Sequence, residues 1–414
     1  ANRTIMSSVA ARCQASTRLF ATLRSCSRRR AYSKGVRIVR EIRLDDVETD
    51  PSMNEFRHNL ATDEWVVYSA ARRGRPKQTS TYPKTELISE LCNHDPACPF
   101  CVGNESMTPA ATLVKPSPSL DLQWQLRVVP NKFPAVSTAS GSPSIEHLPR
   151  DSDAYQLTER VDAIGFHEVL IETPQHNLPL ALQPAEHVEE VVRAFRSRGR
   201  AMLHSDATLR HIMYFKNSGT KAGASLHHPH SQILGLPIVP IEVATRQRHA
   251  REWRQRFQEN VFQHTLDETL RQRDEASDGR HRVVLESDHF LCFVPFAALS
   301  PFSLWIVPKK LEAAHFHEAS DEQCAAFASM LRQALRCLHF GLDEPDFNML
   351  IRSAALETGG GAIYRKDLYF RWYCLLIPRL GVGQLGGFEF STGIQSNSSF
   401  PEDDAAYLRS LGEP

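Results

Sequence analysis

The sequence has no apolar run near the roughly 20 residues that a membrane-spanning helix needs, so no such span is expected. It has no basic surplus in its body: residues 41–414 carry 38 Lys and Arg against 48 Asp and Glu, a net −10, which argues against a nucleic-acid partner. It has no acidic residue before Glu41, where nine Arg and one Lys give +10. It has a single C-x-x-C pair, Cys98-Pro99-Phe100-Cys101, which by itself is a metal half-site, a redox dithiol or a coincidence. What it does have is bulk. At 414 residues, 42% hydrophobic and 23% charged, the chain can bury the core of one large or two packed domains.

The basic head is rich in Arg and Ser, with Leu19, Phe20 and Leu23 scattered among the arginines and no unbroken apolar centre. That is the make-up of an organelle transit peptide rather than a secretory signal. A cationic segment is drawn toward the negative side of an energised membrane. Arg30-Ala31-Tyr32-Ser33 is similar to a mitochondrial processing site cut after the Tyr. We expect residues 1–32 to be a transit peptide, with Met6 as the start and Ala1 to Ile5 upstream of it. The expected destination is the mitochondrial matrix, with the plastid second. Outside the head, most cysteines are isolated in apolar surroundings, as thiols of a reducing compartment are.

From Phe56 onward the pattern is one of short strands. Glu64 to Ser69, Trp124 to Val129 and Phe166 to Glu172 are β-branched, aromatic or alternating. Pro184 to about His204 has helical spacing, with Val188, Val191, Val192 and Phe195 on one face. His211 to Asn217 and His227 to Leu236 are two more strands. The Pro/Ser-rich stretches around 108–119 and 136–150 read as loops. Residues 241–278 are highly charged and read as a solvent-exposed helix followed by a loop. After them the order recurs: strands at Phe290 to Pro295 and Phe302 to Pro308, a helix at Asp321 to Phe340, strands at Asn348 to Arg352 and Tyr369 to Pro378. We expect an α+β fold of two halves, each an antiparallel sheet with a helix, at 50–240 and 281–408, with 241–280 as connector. One irregular α+β domain is the alternative.

The run Asn217-Ser-Gly219-Thr-Lys-Ala-Gly223-Ala-Ser225-Leu-His227-His228-Pro229-His230-Ser231-Gln232 concentrates the chemistry. If 228–232 is extended, His228, His230 and Gln232 share one face. Two imidazoles so placed can divide the labour, one on a metal and one free to attack. The preceding glycines allow backbone amides to approach an anion.

This run, the Cys98/Cys101 pair, Phe56-Arg57-His58-Asn59, Arg72 to Pro76, Gly165-Phe166-His167-Glu168, Pro295-Phe296-Ala297-Ala298 and Gly386-Gly387-Phe388-Glu389 together resemble the galactose-1-phosphate uridylyltransferase family of the histidine-triad superfamily, in the branch of the plant ADP-glucose phosphorylases. The resemblance covers about residues 55 to 405, in order. It implies two tandem histidine-triad-like halves and ping-pong nucleotidyl transfer. His230 matches the nucleophile that takes a nucleotidyl group from a nucleotide sugar, an imidazole being substantially neutral near pH 7. Gln232 matches the amide that holds the phosphoryl oxygens. An amide cannot shuttle a proton, which favours transfer over hydrolysis. Arg72 and Arg75 match a phosphate-gripping pair, Ser225 and the Gly223 backbone match phosphate contacts, and Asn131 and Asn217 match nucleotide-proximal positions. Cys98, Cys101, His176 and His228 match the four ligands of a closed structural zinc site, with Cys92 and His94 as nearby spares. A homodimer also accords with the family.

Some relatives carry a second metal in the C-terminal half. Here the region around Val261 to His264 has no cysteine pair and Arg371 precedes Trp372 where a His would fall, although His289 matches a retained position. His315-Phe316-His317 reads as an exposed turn before a helix, and Gly359-Gly360-Gly361 as a flexible loop. The expected function is phosphorolysis of ADP-glucose to glucose 1-phosphate and ADP, with a nucleotide sugar and phosphate as partners. The alternatives are a uridylyltransferase, with a sugar 1-phosphate as acceptor, and a family member recruited as a structural subunit of a mitochondrial assembly.

Overall fold

The computed structural model describes residues 54–69, 87–117, 124–138, 163–310, 312–356, 366–380 and 386–412. The transit-peptide reading of 1–32, the Arg72 and Arg75 assignments and the Gly359 to Gly361 loop lie outside the described residues. All described residues belong to one compact unit, Val47–Pro414.

Two strands open the chain, β1 (Asn54–Asn59) and β2 (Glu64–Ser69), followed by β3 (Leu113–Pro116), β4 (Trp124–Pro130) and β5 (Phe166–Ile171). Helix α1 (Ala185–Ser205) leads to β6 (His211–Ser218) and β7 (His230–Leu236). Helices α2 (Ile241–Phe257) and α3 (Val261–Glu275) come next, then β8 (Val283–Glu286), β9 (Phe290–Phe293) and β10 (Leu304–Pro308). Helix α4 (Asp321–Gly341), β11 (Phe347–Arg352), β12 (Tyr373–Pro378), α5 (Gly387–Thr392), β13 (Gln395–Asn397) and α6 (Pro401–Ser410) complete the chain.

Ten strands form one sheet in the order β3-β4-β5-β7-β6-β11-β12-β10-β9-β8, every neighbouring pair antiparallel. The internal repeat is explicit in that order. Strands β4-β5-β7-β6 and β9-β10-β12-β11 run in the same sequence, each with its helix inserted after the second strand. The two halves join edge to edge where β6 meets β11, Tyr214 opposite Ile351 and Ser218 opposite Phe347. They are thus histidine-triad-like halves as expected, sharing one sheet rather than owning two. Strands β1, β2 and β13 make a separate small sheet.

Helices α1 and α4 cover one face. Val188, Val191, Val192 and Phe195 of α1 are buried at helical spacing, the stripe that a 3.6-residue period predicts. Gly199 is required there, since a Cβ would meet the Tyr214 hydroxyl at 1.9 Å. Helix α4 begins with a capping box: Ser320 Oγ accepts from the Gln323 amide at 3.1 Å while Gln323 Oε1 accepts from the Ser320 amide.

Several expectations are corrected. The charged segment 241–278 is two helices, broken where Gln258 adopts φ 59° and restarted by Asn260, whose Oδ1 accepts from the Phe262 and Gln263 amides. Neither is merely solvated: Ala250 of α2 and Val261, Phe262 and Leu266 of α3 enter the core beside Trp305, Tyr373 and Leu375. Within the stretch read as loop at 108–119, Leu113–Pro116 pairs with β4 as an edge strand. The strand expected from His227 starts at His230, and the one expected from Tyr369 starts at Tyr373. His315-Phe316-His317 does form a turn before α4, but His315 and Phe316 are buried.

Candidate active site

Cys98, Cys101, His176 and His228 converge. Their four donor atoms lie within 4.8 Å of one another and all four residues are buried. Cys101 Sγ is 3.4 Å from His176 Nδ1 and 3.5 Å from His228 Nδ1, and Cys98 Sγ is 3.7 Å from His228 Nδ1. These separations are the edges of a tetrahedron around a metal of zinc size. The donor chemistry agrees. His228 Nε2–H is spent on the Thr173 carbonyl at 2.8 Å, leaving the Nδ1 lone pair turned toward the two thiols. Burial holds His228 down to about 3 and lowers His176, so both rings are neutral ligands. Burial pushes the Cys98 thiol up to about 11, so its thiolate forms when a cation is there to hold it. The cluster can therefore hold a metal ion. Cys92 and His94 are not part of it; His94 Nε2 is engaged with the Val102 carbonyl at 3.0 Å.

Beyond His228 the chain passes Pro229 and enters β7. His228 thus belongs to the metal cluster rather than to the strand face it was expected to share, and His230 and Gln232 share that face by the two-residue period. His230 is buried, and its Nδ1–H donates to the His228 carbonyl at 2.8 Å, which leaves Nε2 as the free lone pair. Burial lowers the His230 pKa, with the Lys216 charge acting in the same direction, so the ring is neutral near pH 7. The Phe100 ring, from the C-x-x-C loop, lies 5.4 Å from the His230 ring and 6.0 Å from that of His228. The C-x-x-C loop therefore packs directly on His230.

On the opposite face of the same strand sits a polar cluster that sequence reasoning missed. Lys216 Nζ is 2.9 Å from Glu172 Oε2 and donates to the His230 carbonyl at 3.1 Å. Ser231 Oγ donates to Glu172 Oε1. Lys216 and Glu172 are 3% and 0% exposed, and a pair so buried survives only if every charge is answered. Its one local sequence signal was an apolar residue directly before each charge, Phe215 before Lys216 and Ile171 before Glu172.

The remaining predicted residues divide. Gln232 Oε1 is 2.7 Å from His167 Nε2, and Asn131 Nδ2 is 3.0 Å from the same nitrogen, so both side chains meet at the His167 ring. Asn217 Oδ1 accepts from Asn348 Nδ2 at 2.8 Å across the β6–β11 junction. Gly223 supplies a left-handed bend at φ +87°, and its amide closes onto the Thr220 carbonyl. The Ala222 and Ala224 amides close onto Gly219 in the same way. The Lys221 amide is held by Asp346 Oδ2 at 2.7 Å, so this part of the turn wraps a carboxylate of the chain itself. Ser225, just downstream, is exposed.

Two features of the second half bear on metals. Arg371 is fully buried and donates to the Pro308 carbonyl at 2.6 Å and to Gln263 Oε1 at 2.7 Å, a cation where a metal ligand was sought. His315, His317 and Glu318 also bring donor atoms within 4.8 Å. Glu318 is engaged there in closing the turn, accepting from the His315 amide at 3.2 Å and standing 3.2 Å from its Nδ1.

Residues 45–240 match the family profile described as galactose-1-phosphate uridyl transferase, N-terminal domain. The chain is 31% identical to an ADP-glucose phosphorylase of Arabidopsis thaliana over 357 residues, 86% of this chain and 93% of that one. It is 30% identical to a galactose-1-phosphate uridylyltransferase of Thermotoga maritima over 280 residues, 68% of this chain and 74% of that one. The crystal structure of an Arabidopsis thaliana ADP-glucose phosphorylase with bound ADP-glucose superposes with a TM-score of 0.68 at 28% identity, covering 88% of this chain and all of that one. The chain belongs to the galactose-1-phosphate uridylyltransferase family and is a nucleotidyltransferase of it.

Proposed function

We propose that the protein converts ADP-glucose and inorganic phosphate to glucose 1-phosphate and ADP through a nucleotidyl-His230 intermediate. The observation that carries this reading is the His230 tautomer: Nδ1–H is fixed on the His228 carbonyl and Nε2 is free and unprotonated. Nε2 attacks the α-phosphorus, the bond from that phosphorus to the bridging oxygen breaks, and glucose 1-phosphate leaves with the electron pair. An oxygen of inorganic phosphate then attacks the same phosphorus from the opposite side, the P–N bond breaks, and ADP leaves with His230 restored. Nδ1 keeps its proton throughout. The Lys216 charge, 3.1 Å from the His230 carbonyl, holds the strand that must not move between the two steps. The identity of a relative named as an ADP-glucose phosphorylase supports the choice of adenine nucleotide and of phosphate as acceptor.

We further propose that the metal is zinc. Bound by Cys98, Cys101, His176 and His228 it would be structural, since four protein donors leave no open position for substrate. Its effect on the chemistry would be to clamp the chain two residues before the nucleophile.

The test is intact-mass analysis of the protein mixed with ADP-glucose or UDP-glucose without acceptor. The expected result is an adduct of one AMP from ADP-glucose, discharged by phosphate with release of ADP and absent in His230→Ala. An adduct from UDP-glucose alone, discharged by hexose 1-phosphate, would instead establish a uridylyltransferase. Metal analysis of the same sample should give one zinc per chain, lost in Cys98→Ser with Cys101→Ser. A protein that carries no zinc would overturn that assignment.

A further inference from the structure

The tautomers around Gln232 can be assigned from backbone donors alone. The Ala135 N–H donates to His167 Nδ1 at 3.0 Å. A backbone amide cannot exchange its role for that of an acceptor, so His167 Nδ1 carries the lone pair and the one ring proton sits on Nε2. The same logic fixes Asn131: its Oδ1 accepts from the Phe133 N–H at 2.9 Å, so the group 3.0 Å from His167 Nε2 is the amide nitrogen. That nitrogen is a donor and cannot bond a protonated Nε2. The acceptor for the His167 proton is therefore Gln232, which must present its carbonyl oxygen at 2.7 Å.

An amide group has two ends, an oxygen that accepts and an NH₂ that donates. Holding the carbonyl on His167 settles the other end as well. The Gln232 NH₂ is aimed away from His167, and among the described residues no hydrogen bond engages it. Gln232 is half-buried, two residues along the same strand face as His230. We propose that His167 is a positioning residue: its Nε2–H locks the Gln232 side chain so that the NH₂, and not the carbonyl, faces the transferring phosphoryl group. This rests on the nucleotidyl-His230 reading above.

The consequence is electrostatic. Phosphoryl oxygens carry negative charge that must be met by donors, and a Gln turned the wrong way would present a carbonyl dipole to them instead. Without a partner for its oxygen the amide would sample both orientations, and the catalytically useful donor would have to be selected in each turnover. Asn131 brings an NH₂ to the same corner, its orientation set by the Phe133 N–H. The device also explains why β5 carries a His at this place. Diagonal neighbours on one strand face are within reach of long side chains, and Val169 rather than His167 lies directly opposite Gln232.

A double-mutant cycle tests the assignment, with the single-turnover rate of AMP transfer to His230 read by intact mass. His167→Phe keeps the ring volume and removes both nitrogens. Ala135 is exposed, so water can take its amide and the fold should hold. In the wild-type background we expect His167→Phe to slow transfer roughly tenfold to thirtyfold with little change in ADP-glucose affinity. In a Gln232→Ala background, which is slow but measurable over hours, the same substitution should change the rate by less than about twofold, because its target is gone. An equal factor in both backgrounds, or no slowing in the first, would overturn the positioning role. A wild-type protein that forms no adduct from any nucleotide sugar would overturn the reading beneath it, a separate outcome.

Discussion

The two halves of the sheet have the same strand order and opposite uses. One row of side chains crosses both on a single face: Gln232 stands opposite Phe215, Phe215 opposite Leu350, Leu350 opposite Leu375, and Leu375 opposite Trp305. At its N-terminal end the row carries the amide of Gln232, which belongs to the candidate site. At the C-terminal end the row is apolar and covered by α2 and α3, with the Phe262 ring 5.4 Å from that of Tyr373. The frame is therefore neutral with respect to chemistry. What differs among the described residues is what lies over each strand: the face of β7 that carries His230 is met by the Cys98–Cys101 loop through Phe100, whereas β12 is covered by helices and carries Tyr373, Leu375 and Ile377.

The sharpest way to break the comparison is at the junction, where Lys216 of β6 faces Met349 of β11. Lys216→Met makes this pair alike across the halves and strands the Glu172 carboxylate, which is 0% exposed and left with the Ser231 hydroxyl. We expect a loss of about 3–5 kcal/mol in folding stability, measured by urea denaturation. Adding Glu172→Leu should return most of it, since a buried pair replaced by apolar groups is near neutral. AMP transfer should stay depressed in the double variant, because the His230 carbonyl has lost its donor. A double variant as unstable as the single one would refute the account.

Next in size is a pair of truncations in the one row. Gln232→Ala should cost about 10²–10³ in the rate of transfer, as loss of an oxyanion donor does, with little change in melting temperature. Leu375→Ala should do the reverse: about 2–5 kcal/mol of stability, and a turnover within roughly twofold of wild type at a temperature where the protein is folded. If Leu375→Ala slowed transfer as much as Gln232→Ala, the halves would not be divided into chemistry and support as the packing divides them.

Much of this division was legible in the sequence, for reasons that can be stated. The strands Glu64–Ser69, Trp124–Pro130 and His211–Ser218 were read to within one residue because alternation and β-branching are local properties. That Cys98, Cys101, His176 and His228 would come together was legible once the chain was read as a relative, and the fold does gather them into one buried cluster that could hold a metal. Other parts were hidden by composition. In α3 the core face is a stripe of Phe262, Leu266 and Thr269, but Gln, Asp, Glu and Arg around it make the segment look solvated. The Lys216–Glu172 pair joins residues far apart in sequence, and no period marks a charge that will be buried. His167 stood in a recognised motif, yet its role depends on the direction of an Ala135 amide in a loop, which only coordinates supply.

The smallest expected effect concerns pH and lies where the halves touch. His211 begins β6, is 3% exposed, and its pKa is lowered to about 4 by burial and then by the nearby Arg246 and His315 charges. A histidine in an unfolded chain titrates near 6.5. Between those values the unfolded state binds the proton and the folded state does not, so stability from this group is complete above about pH 6.5 and falls as pH drops toward 4. The loss from His211 alone should be roughly 2 kcal/mol at pH 5 and roughly 3 kcal/mol at pH 4. His228 and His317, also lowered by burial, add to the slope in the same sense, so the total acid sensitivity of the wild type is no measure of His211. The difference between wild type and His211→Leu is. Urea midpoints taken at pH 7 and pH 5 should move apart in the wild type by that additional 2 kcal/mol or so relative to the variant, and parallel shifts would mean that His211 takes up its proton in the folded protein as readily as in the unfolded chain.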